Sequence, residues 1–467
     1  MNINFMKRAM VPLLCGILML FSLSADAENG NLPSLEGLPG VETYDLQNGI
    51  RLLTIREELP RTEIICSIGF GKMHEDADNA GLSEIMAKEI SLSGTKNFPG
   101  NELNEKIEAL GGDLSINAGW ENITIVIKVL SRHSEFAFSL LRDILENPVF
   151  SNENLIYSKR LVMEQFRREM DNPSSAGFTR VREIIFNGRG YGATLSEKSV
   201  NSITADTLRE TWKKVAVGGN ITIAVSSSLE KDILQSITAG KLSGIKKGER
   251  EFYNIDNAAL LSELSAKSGN IYLLPKDLEQ ATIITGTIAP EINYQGNYSL
   301  FLMNYILGGG SFNSRLMNEI RVKRGLAYSV FSLVRNRYKT GVFMSFVQTR
   351  NEEAANVLSL MKENIFRMSE EKVSGDELNW ARESVINSYV FNFARTSDIL
   401  DNYLQIEYNK LDRGYYKDYL KNISRVTPDD IKRESRLLFK QGIVTVVVGN
   451  RNLVTELEKH GKVIILE

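Results

Sequence analysis

The stretch NAGLSEIMAKEISLSGT, residues 79–95, has the spacing of a metal-binding helix without the residues that bind metal. Its apolar side chains recur at the intervals of an amphipathic helix, namely Leu82, Ile85, Met86 and Ile90. Positions 84 and 88 lie four residues apart and therefore share one helix face. Zinc hydrolases of the H-x-x-E-H type carry two histidine ligands at such positions and a glutamate general base between them. Here the three positions are Glu84, Ala87 and Lys88.

These replacements predict that the helix binds no metal. A protonated lysine is a poor zinc ligand, and Ala87 has no carboxylate that could act as a general base. We interpret Glu84 and Lys88 as an ion pair across one helical turn, which contributes about 0.3–0.5 kcal/mol. The chain has three histidines in all, and one of them opens the acidic stretch HEDADN at 74–79. We interpret that stretch as a loop with solvated charges between a strand and the helix.

A second stretch, ILGGGSFNSRLMNEIRVKRGLAYSV at 306–330, keeps residues that can do chemistry. Arg321 and Tyr328 lie seven residues apart, and both side chains are hydrogen-bond donors. Donors aimed at an oxygen that becomes negatively charged lower the barrier of acyl transfer. The run of three glycines at 308–310 would let a peptide backbone come close, because no Cβ stands in the way.

Both stretches resemble motifs of the pitrilysin and insulinase metallopeptidases, in particular the branch that includes mitochondrial processing peptidase. The first keeps the frame of the zinc motif, Gly81-Leu82 and then Ser93-Gly94-Thr95, but lacks both histidines and the glutamate between them. The second contains every element of the family pattern L-G-G-x-x-x-S-R-L-x-x-x-[IL]-R-x-x-x-G-L-A-Y, with four instead of three residues between Gly309 and Ser314. The resemblance covers about residues 40–465.

The resemblance implies roles for individual residues. Arg321 and Tyr328 would bind the substrate backbone and stabilise the tetrahedral intermediate, as the catalytic residues of this chain. Substrate binding is implied for the glycine-rich loop, Gly308, Gly309, Gly310 and Ser311. The family's third zinc ligand is a glutamate, and its position is occupied by Glu164. One carboxylate does not make a zinc site, so we interpret the retained Glu164 as a helix residue paired with a neighbouring charge.

The chain is internally repeated, which predicts two homologous domains. The segments that begin at Ile203 and Val426 both read as a Thr-capped helix, a β-branched strand and a second helix. Their offset is 223 residues, and Leu155 aligns with Leu378 at the same offset. Mixed runs of strands and helices favour an α+β fold with largely antiparallel sheets covered by helices. The resemblance implies the same, as the processing-peptidase/LuxS-like metallohydrolase fold.

We place the domains at residues 35–240 and 271–465, joined by a polar linker at 241–270. The N-terminus, MNINFMKRAMVPLLCGILMLFSLSADA, has two basic residues, an apolar run and a small-residue cleavage site, so residues 1–27 are predicted to be a secretory signal peptide. After its removal Cys66 is the only cysteine, which excludes an internal disulfide and fits a periplasmic protein. The formal net charge of −3 gives no reason to expect a nucleic-acid partner, and no membrane association is expected after cleavage.

Three functions remain open on this sequence. In the first, the chain is the non-zinc-binding subunit of a heteromeric periplasmic zinc metallopeptidase that hydrolyses peptides. The chain itself would bind no cofactor, and a zinc-bearing paralogous subunit would supply the metal. In the second, it is a catalytically inactive scaffold or binding protein of the same fold. In the third, it is a hydrolase on its own. We favour the first, because the donor pair Arg321 and Tyr328 is retained. No Ser-His-Asp, Cys-His or phosphate-loop pattern supports the third.

Overall fold

The computed structural model describes residues 40–250 and 255–466, so the predicted signal peptide lies outside the described residues. Two halves each contain a six-stranded sheet. The strands of the first sheet are β1 Glu42–Asp45, β2 Arg51–Arg56, β3 Arg61–Ile68, β4 Asp113–Ala118, β5 Ile123–Leu130 and β6 Ile221–Ser227. The strands of the second are β7 Ile271–Pro275, β8 Gln280–Ala289, β9 Ala327–Asn336, β10 Gly341–Arg350, β11 Val444–Gly449 and β12 Val463–Ile465.

The two sheets have the same topology over five strands. Their orders are β1-β2-β6-β3-β5-β4 and β12-β7-β11-β8-β10-β9. Neighbours are antiparallel except for β2 with β6, β7 with β11, and β7 with β12. The outermost strand differs, since β1 precedes its sheet in sequence and β12 follows its own. The predicted α+β fold with two homologous, mostly antiparallel domains is therefore confirmed.

Helices cover both sheets. The helices of the first half are α1 Leu82–Ser93, α2 Glu102–Ala109, α3 Ser134–Glu146, α4 Asn152–Asp171, α5 Pro173–Ile185, α6 Glu197–Ser202, α7 Ala205–Val215 and α8 Lys231–Leu242. The helices of the second half are α9 Asn257–Lys267, α10 Asn297–Asn304, α11 Ala354–Glu370, α12 Gly375–Ser388, α13 Thr396–Asn409, α14 Tyr415–Arg425, α15 Pro428–Phe439 and α16 Val454–Leu457. The segment 241–270, read from the sequence as a linker, thus contains α9, whose Leu260 and Leu264 are buried.

Helix α5 is the main element that the sequence analysis misses. Proline disfavours a helical conformation in the residue before it, and Pro173 directly follows the end of α4. In the structure Asn172 is extended, with φ −77° and ψ 119°, and ends α4. Its Oδ1 accepts a hydrogen bond from the backbone N–H of Ser175 at 3.0 Å and so caps α5, with Pro173 in the first turn. Asn172 and Pro173 therefore mark the junction of two consecutive helices, α4 and α5.

The two halves exchange one helix each. Helix α5 of the first half packs on the second sheet, where Ala176, Val181 and Ile185 share a buried cluster with residues of β8 and β11. Helix α13 of the second half packs on the first sheet, where Leu400 is buried with Leu53 of β2. The helices begin 223 residues apart, the offset of the repeat. The halves therefore bury part of each other's sheets.

A buried carboxylate also joins the halves. Glu121, in the turn between β4 and β5, accepts a hydrogen bond from Tyr191 Oη at 2.5 Å and one from the backbone N–H of Tyr338 at 3.2 Å. Its backbone oxygen accepts from Tyr408 Oη at 3.1 Å. Since Tyr338 and Tyr408 belong to the second half, these hydrogen bonds tie the first hairpin to it.

Two smaller features of the fold concern chemistry and environment. Cys66 is a free, buried thiol on β3, and burial raises its pKa, so it is an inert apolar residue of the core. Among the described residues no helix combines the length and the apolar composition needed to cross a bilayer.

Candidate functional site

The first candidate region is the face of α1 that carries the degenerate metal positions. Ala87 is buried in the core, while Lys88 is exposed. Glu84 does not pair with Lys88, as predicted, but with Lys72, which precedes the helix. The Lys72 ammonium also lies 5.4 Å from the Trp120 ring centroid. The predicted ion pair between Glu84 and Lys88 was wrong, because Lys72 from the segment before the helix contacts the Glu84 carboxylate instead.

The retained Glu164 is a helix residue paired with a neighbouring charge, as we interpreted it from the sequence. It is exposed on α4, and its Oε1 lies 3.9 Å from Nε of Arg160, one helical turn earlier. No group of three or more His, Cys, Asp or Glu side chains within residues 40–250 and 255–466 is arranged to hold a metal ion. A lysine, an alanine and an ion-paired glutamate do not fit the zinc that the family motif implies.

The stretch HEDADN is used to build α1. Glu75 is 2% exposed, and its carboxylate accepts hydrogen bonds from the backbone N–H groups of Gly81 (2.8 Å) and Ser83 (2.7 Å) and from Ser83 Oγ (2.6 Å). It therefore caps the helix N-terminus from six residues away, where a negative charge is favourable. The expectation that this loop has only solvated charges was wrong for Glu75.

His74, in the same stretch, gives a pH prediction. Burial, with a smaller repulsion from Arg250, lowers its pKa to about 4, so the folded protein keeps it neutral where the unfolded chain protonates it. The unfolded state therefore binds more protons between about pH 6.5 and pH 4. The stability due to neutral His74 is complete above pH 6.5 and is lost as the pH falls toward 4. We expect His74→Gln to flatten the pH dependence of the free energy of unfolding in this window, measured by urea titration.

The second candidate region surrounds the glycine-rich loop. Two short π-helical segments, Tyr305–Gly309 and Met317–Val322, flank it, and such segments occur often at functional sites. The loop is anchored by Arg315, whose Nε and Nη2 donate to the two carboxylate oxygens of Glu377 at 2.7 and 2.9 Å. Ser311, at the tip, has a positive φ of 56° and is exposed.

The glycines allow close packing inside the protein, in addition to the predicted close approach of a peptide substrate. A Cβ on Gly308 would lie 2.5 Å from the backbone nitrogen of Ser332, and one on Gly310 would lie 2.4 Å from the Trp380 ring. Both glycines are buried, whereas Gly309 is exposed beside Ser311. The predicted contact with substrate therefore concerns Gly309 and Ser311 most directly, and it stays a prediction for all four residues.

Gly308→Ala is expected to destabilise the protein by about 1–3 kcal/mol, because the new methyl group meets backbone atoms of β9 that cannot rotate away. Gly375→Ala is the matched control, since a Cβ there has no neighbour within 4 Å. It should change stability by about 0.5 kcal/mol or less. Urea unfolding of both variants compares them, and equal midpoints would contradict the packing role.

Arg321 and Tyr328 lie side by side on the surface. The Arg321 guanidinium carbon is 4.7 Å from the Tyr328 ring centroid and 5.1 Å from that of Phe312, at cation–π distance from both rings. Tyr328 is 81% exposed and Phe312 59% exposed. The structure thus brings the predicted pair together, with both aromatic rings open to solvent. Phe312 was not predicted from the sequence, where its only signal is an apolar residue inside a polar loop.

Tyr328 sits at a β-bulge. Ser329 pairs with Gln348 and Ala327 pairs with Thr349, so Tyr328 is the extra residue between them on β9. A bulge leaves one residue out of the ladder and re-aims its side chain. Strand β9 is also the edge of its sheet, so one side of its backbone has no partner strand in the described sheet. The site can offer a half-buried guanidinium and an exposed phenol to a carbonyl oxygen.

Comparison with family profiles identifies two matching segments. Residues 53–198 match the profile of insulinase (peptidase family M16), and residues 202–385 match that of the peptidase M16 inactive domain. The degenerate helix α1 lies in the first segment, and the Arg321/Tyr328 site lies in the second.

Relatives and solved structures extend the similarity over most of the chain. A Rickettsia felis protein named uncharacterized zinc protease is 24% identical and covers 87% of this chain and 97% of its own length. A Helicobacter pylori protein named non-peptidase homolog YmxG is 24% identical over 91% of this chain and 94% of its own. A peptidase M16 inactive domain from Pseudomonas fluorescens superposes with a TM-score of 0.78 at 21% identity, covering 88% of this chain and 98% of that one. A protease from Helicobacter pylori gives 0.79 at 16% identity, over 88% and 100%.

Proposed function

Because this chain belongs to the insulinase family of peptidases (peptidase M16), we propose that it is the non-zinc-binding subunit of a heteromeric periplasmic metallopeptidase. It would work with a zinc-bearing paralogue that hydrolyses peptides. This chain would bind no metal, and the zinc would belong to the partner. The proposal places the chain in the periplasm, after removal of a signal peptide at residues 1–27.

One observation supports the proposal above all others. The zinc-binding residues of the family are lost in this chain, whereas its arginine–tyrosine pair is retained. The zinc positions are Glu84 held by Lys72, buried Ala87 and exposed Lys88. By contrast, Arg321 and Tyr328 are adjacent, solvent-accessible and placed by a bulge and a π-helical segment. An exposed phenol on an arginine contributes little to folding, so its geometry is best explained by a ligand outside this chain.

The role of this chain follows from what its two donors can do. The guanidinium has five N–H donors in a planar arrangement. The phenol of Tyr328 adds an O–H donor. Directed at the peptide carbonyl, the two would hold the substrate and favour the negative charge that develops on its oxygen during hydrolysis. The partner would supply the hydrolytic water and the general base, because this chain has an alanine at position 87.

The test is reconstitution. The mature chain, a zinc-bearing paralogue from the same organism and their mixture are assayed on a quenched fluorescent peptide, and metal content is measured by mass spectrometry. We expect hydrolysis by the mixture well above the sum of the two chains, with zinc only in the partner.

Two results would reject this function. If the chain forms no complex and the partner is fully active alone, the chain is a scaffold or binding protein of the same fold. The name of the Helicobacter pylori non-peptidase homolog is in line with that alternative. If the chain alone cleaves peptide in a zinc-dependent manner, the assignment of the metal to the partner is wrong.

A further inference from the structure

A group of arginines lies at the end of β9 opposite to Tyr328. Arg335 is near the end of the strand, and Arg337 follows it in the turn to β10. Arg182, on the exchanged helix α5, approaches from the first half. The guanidinium carbons of Arg182 and Arg337 lie 4.9 and 5.4 Å from the centroid of the Trp120 ring. The sequence gives no hint of this group, whose members come from distant segments.

The positive charge of this group is poorly balanced. Arg337 is 3.7 Å from Glu121, a carboxylate that already accepts from Tyr191 and Tyr338. Arg182 donates to Thr179 Oγ1 at 3.1 Å, and no ion pair of Arg182 or Arg335 is found among the described residues. The charge of nearby Lys72, by contrast, is balanced by its ion pair with Glu84.

The three arginines repel one another in a crowded place. The pKa of Arg182 is lowered to about 10, by burial first and then by Arg337, against a weaker attraction from Glu169. Partial loss of water to the surrounding protein atoms, and then repulsion from Arg337, also lower the pKa of Arg335. Yet the side chains keep access to solvent, with Arg335 exposed and Arg182 half-buried. Partly desolvated and uncompensated cations of this kind bind an anion more tightly than solvated ones.

The arginine group and the Arg321/Tyr328 site share one strand. Arg335 lies seven positions after Tyr328, which at about 3.3 Å per residue is roughly 23 Å. Phe331 and Leu333, both half-buried, lie between them. An extended peptide advances by nearly the same distance per residue. A peptide held at Tyr328 and running along β9 would therefore reach the arginines about seven residues away.

We propose that Arg182, Arg335 and Arg337 bind a carboxylate of the peptide substrate about seven residues from the residue held at Tyr328. The chain would then select peptides that carry an acidic side chain or a free C-terminus at that distance. This inference rests on the proposed function for its peptide ligand. It goes beyond that function by naming the charge and the position that the substrate must have.

The test is peptide binding by this chain alone, followed by fluorescence anisotropy at low ionic strength, where charge interactions are least screened. The probes are labelled, unstructured peptides of twelve residues in which one glutamate is moved along the sequence, each paired with its glutamine version. The same peptides with an amidated C-terminus separate a side-chain carboxylate from the terminal one. We expect one register, or the free terminus, to bind about tenfold more tightly than its neutral counterpart.

The double variant Arg182→Gln and Arg335→Gln should abolish that tenfold preference and leave the affinity for neutral peptides unchanged. Arg451→Gln, at an exposed arginine of the second half, is the matched control and should keep the preference. The single variant Arg335→Gln changes only an exposed side chain and should reduce the preference about threefold. It is the test to use if the double variant does not fold.

Equal affinity for charged and neutral peptides, including no measurable binding of either, would overturn the inference. So would a preference that survives in the double variant. These outcomes are independent of the proposed function, because the reconstituted activity and its dependence on Arg321 can persist without any preference for acidic peptides.

Discussion

Arg321→Ala is expected to lower kcat of the reconstituted peptidase by about 10²–10³-fold, the cost of removing one donor to a developing oxyanion. Tyr328→Phe should also lower kcat, because it removes only the hydroxyl and leaves the ring beside the guanidinium in place. If the residues act in the transition state, kcat and kcat/KM fall together with little change in KM. If they mainly hold the substrate backbone, KM rises instead.

The matched control for this prediction is Arg451→Ala, which removes an exposed arginine from the same half of the chain. It should leave kcat and KM at the values of the unmodified complex. Metal content and complex formation are measured for every variant, because neither Arg321 nor Tyr328 is placed to hold zinc. Full activity of both Arg321→Ala and Tyr328→Phe in a stable complex would contradict the catalytic role and support a scaffold.

Leu400→Ala is expected to lower the free energy of unfolding by about 2–5 kcal/mol, the usual cost of removing a buried leucine side chain. Leu400 lies on α13 of the second half and is 0% exposed, packed with Leu53 and Ala224 of the first sheet. Because this helix covers a sheet of the other half, the loss should destabilise both halves together.

Urea unfolding followed by tryptophan fluorescence and by far-UV circular dichroism measures this effect. Trp212 reports on the first half, Trp380 on the second, and Trp120 on the contact between them. Leu437→Ala is the matched control, since Leu437 is 37% exposed on α15 and should cost much less. A Leu400→Ala variant that unfolds with the midpoint of the unmodified protein would show that the exchanged helix contributes little.

The sequence by itself determined the features that depend on local residues and their spacing. The 223-residue repeat, the amphipathic pattern of α1 and the loss of ligands at Glu84, Ala87 and Lys88 can all be read along the chain. So can the arginine–tyrosine pair, because the motif that contains it is contiguous. Helices and strands follow from periodicities of a few residues, which need no knowledge of distant contacts.

Only the tertiary structure decided which distant residues meet. Glu84 pairs with Lys72 instead of Lys88, because the segment before α1 folds back onto it. The bulge that exposes Tyr328 arises from the register between β9 and β10, and Gly308 is required by the approach of Ser332. The packing of α5 on the second sheet brings Arg182 to Arg337, with Trp120 between them. Each of these depends on long-range packing, which sequence spacing does not encode.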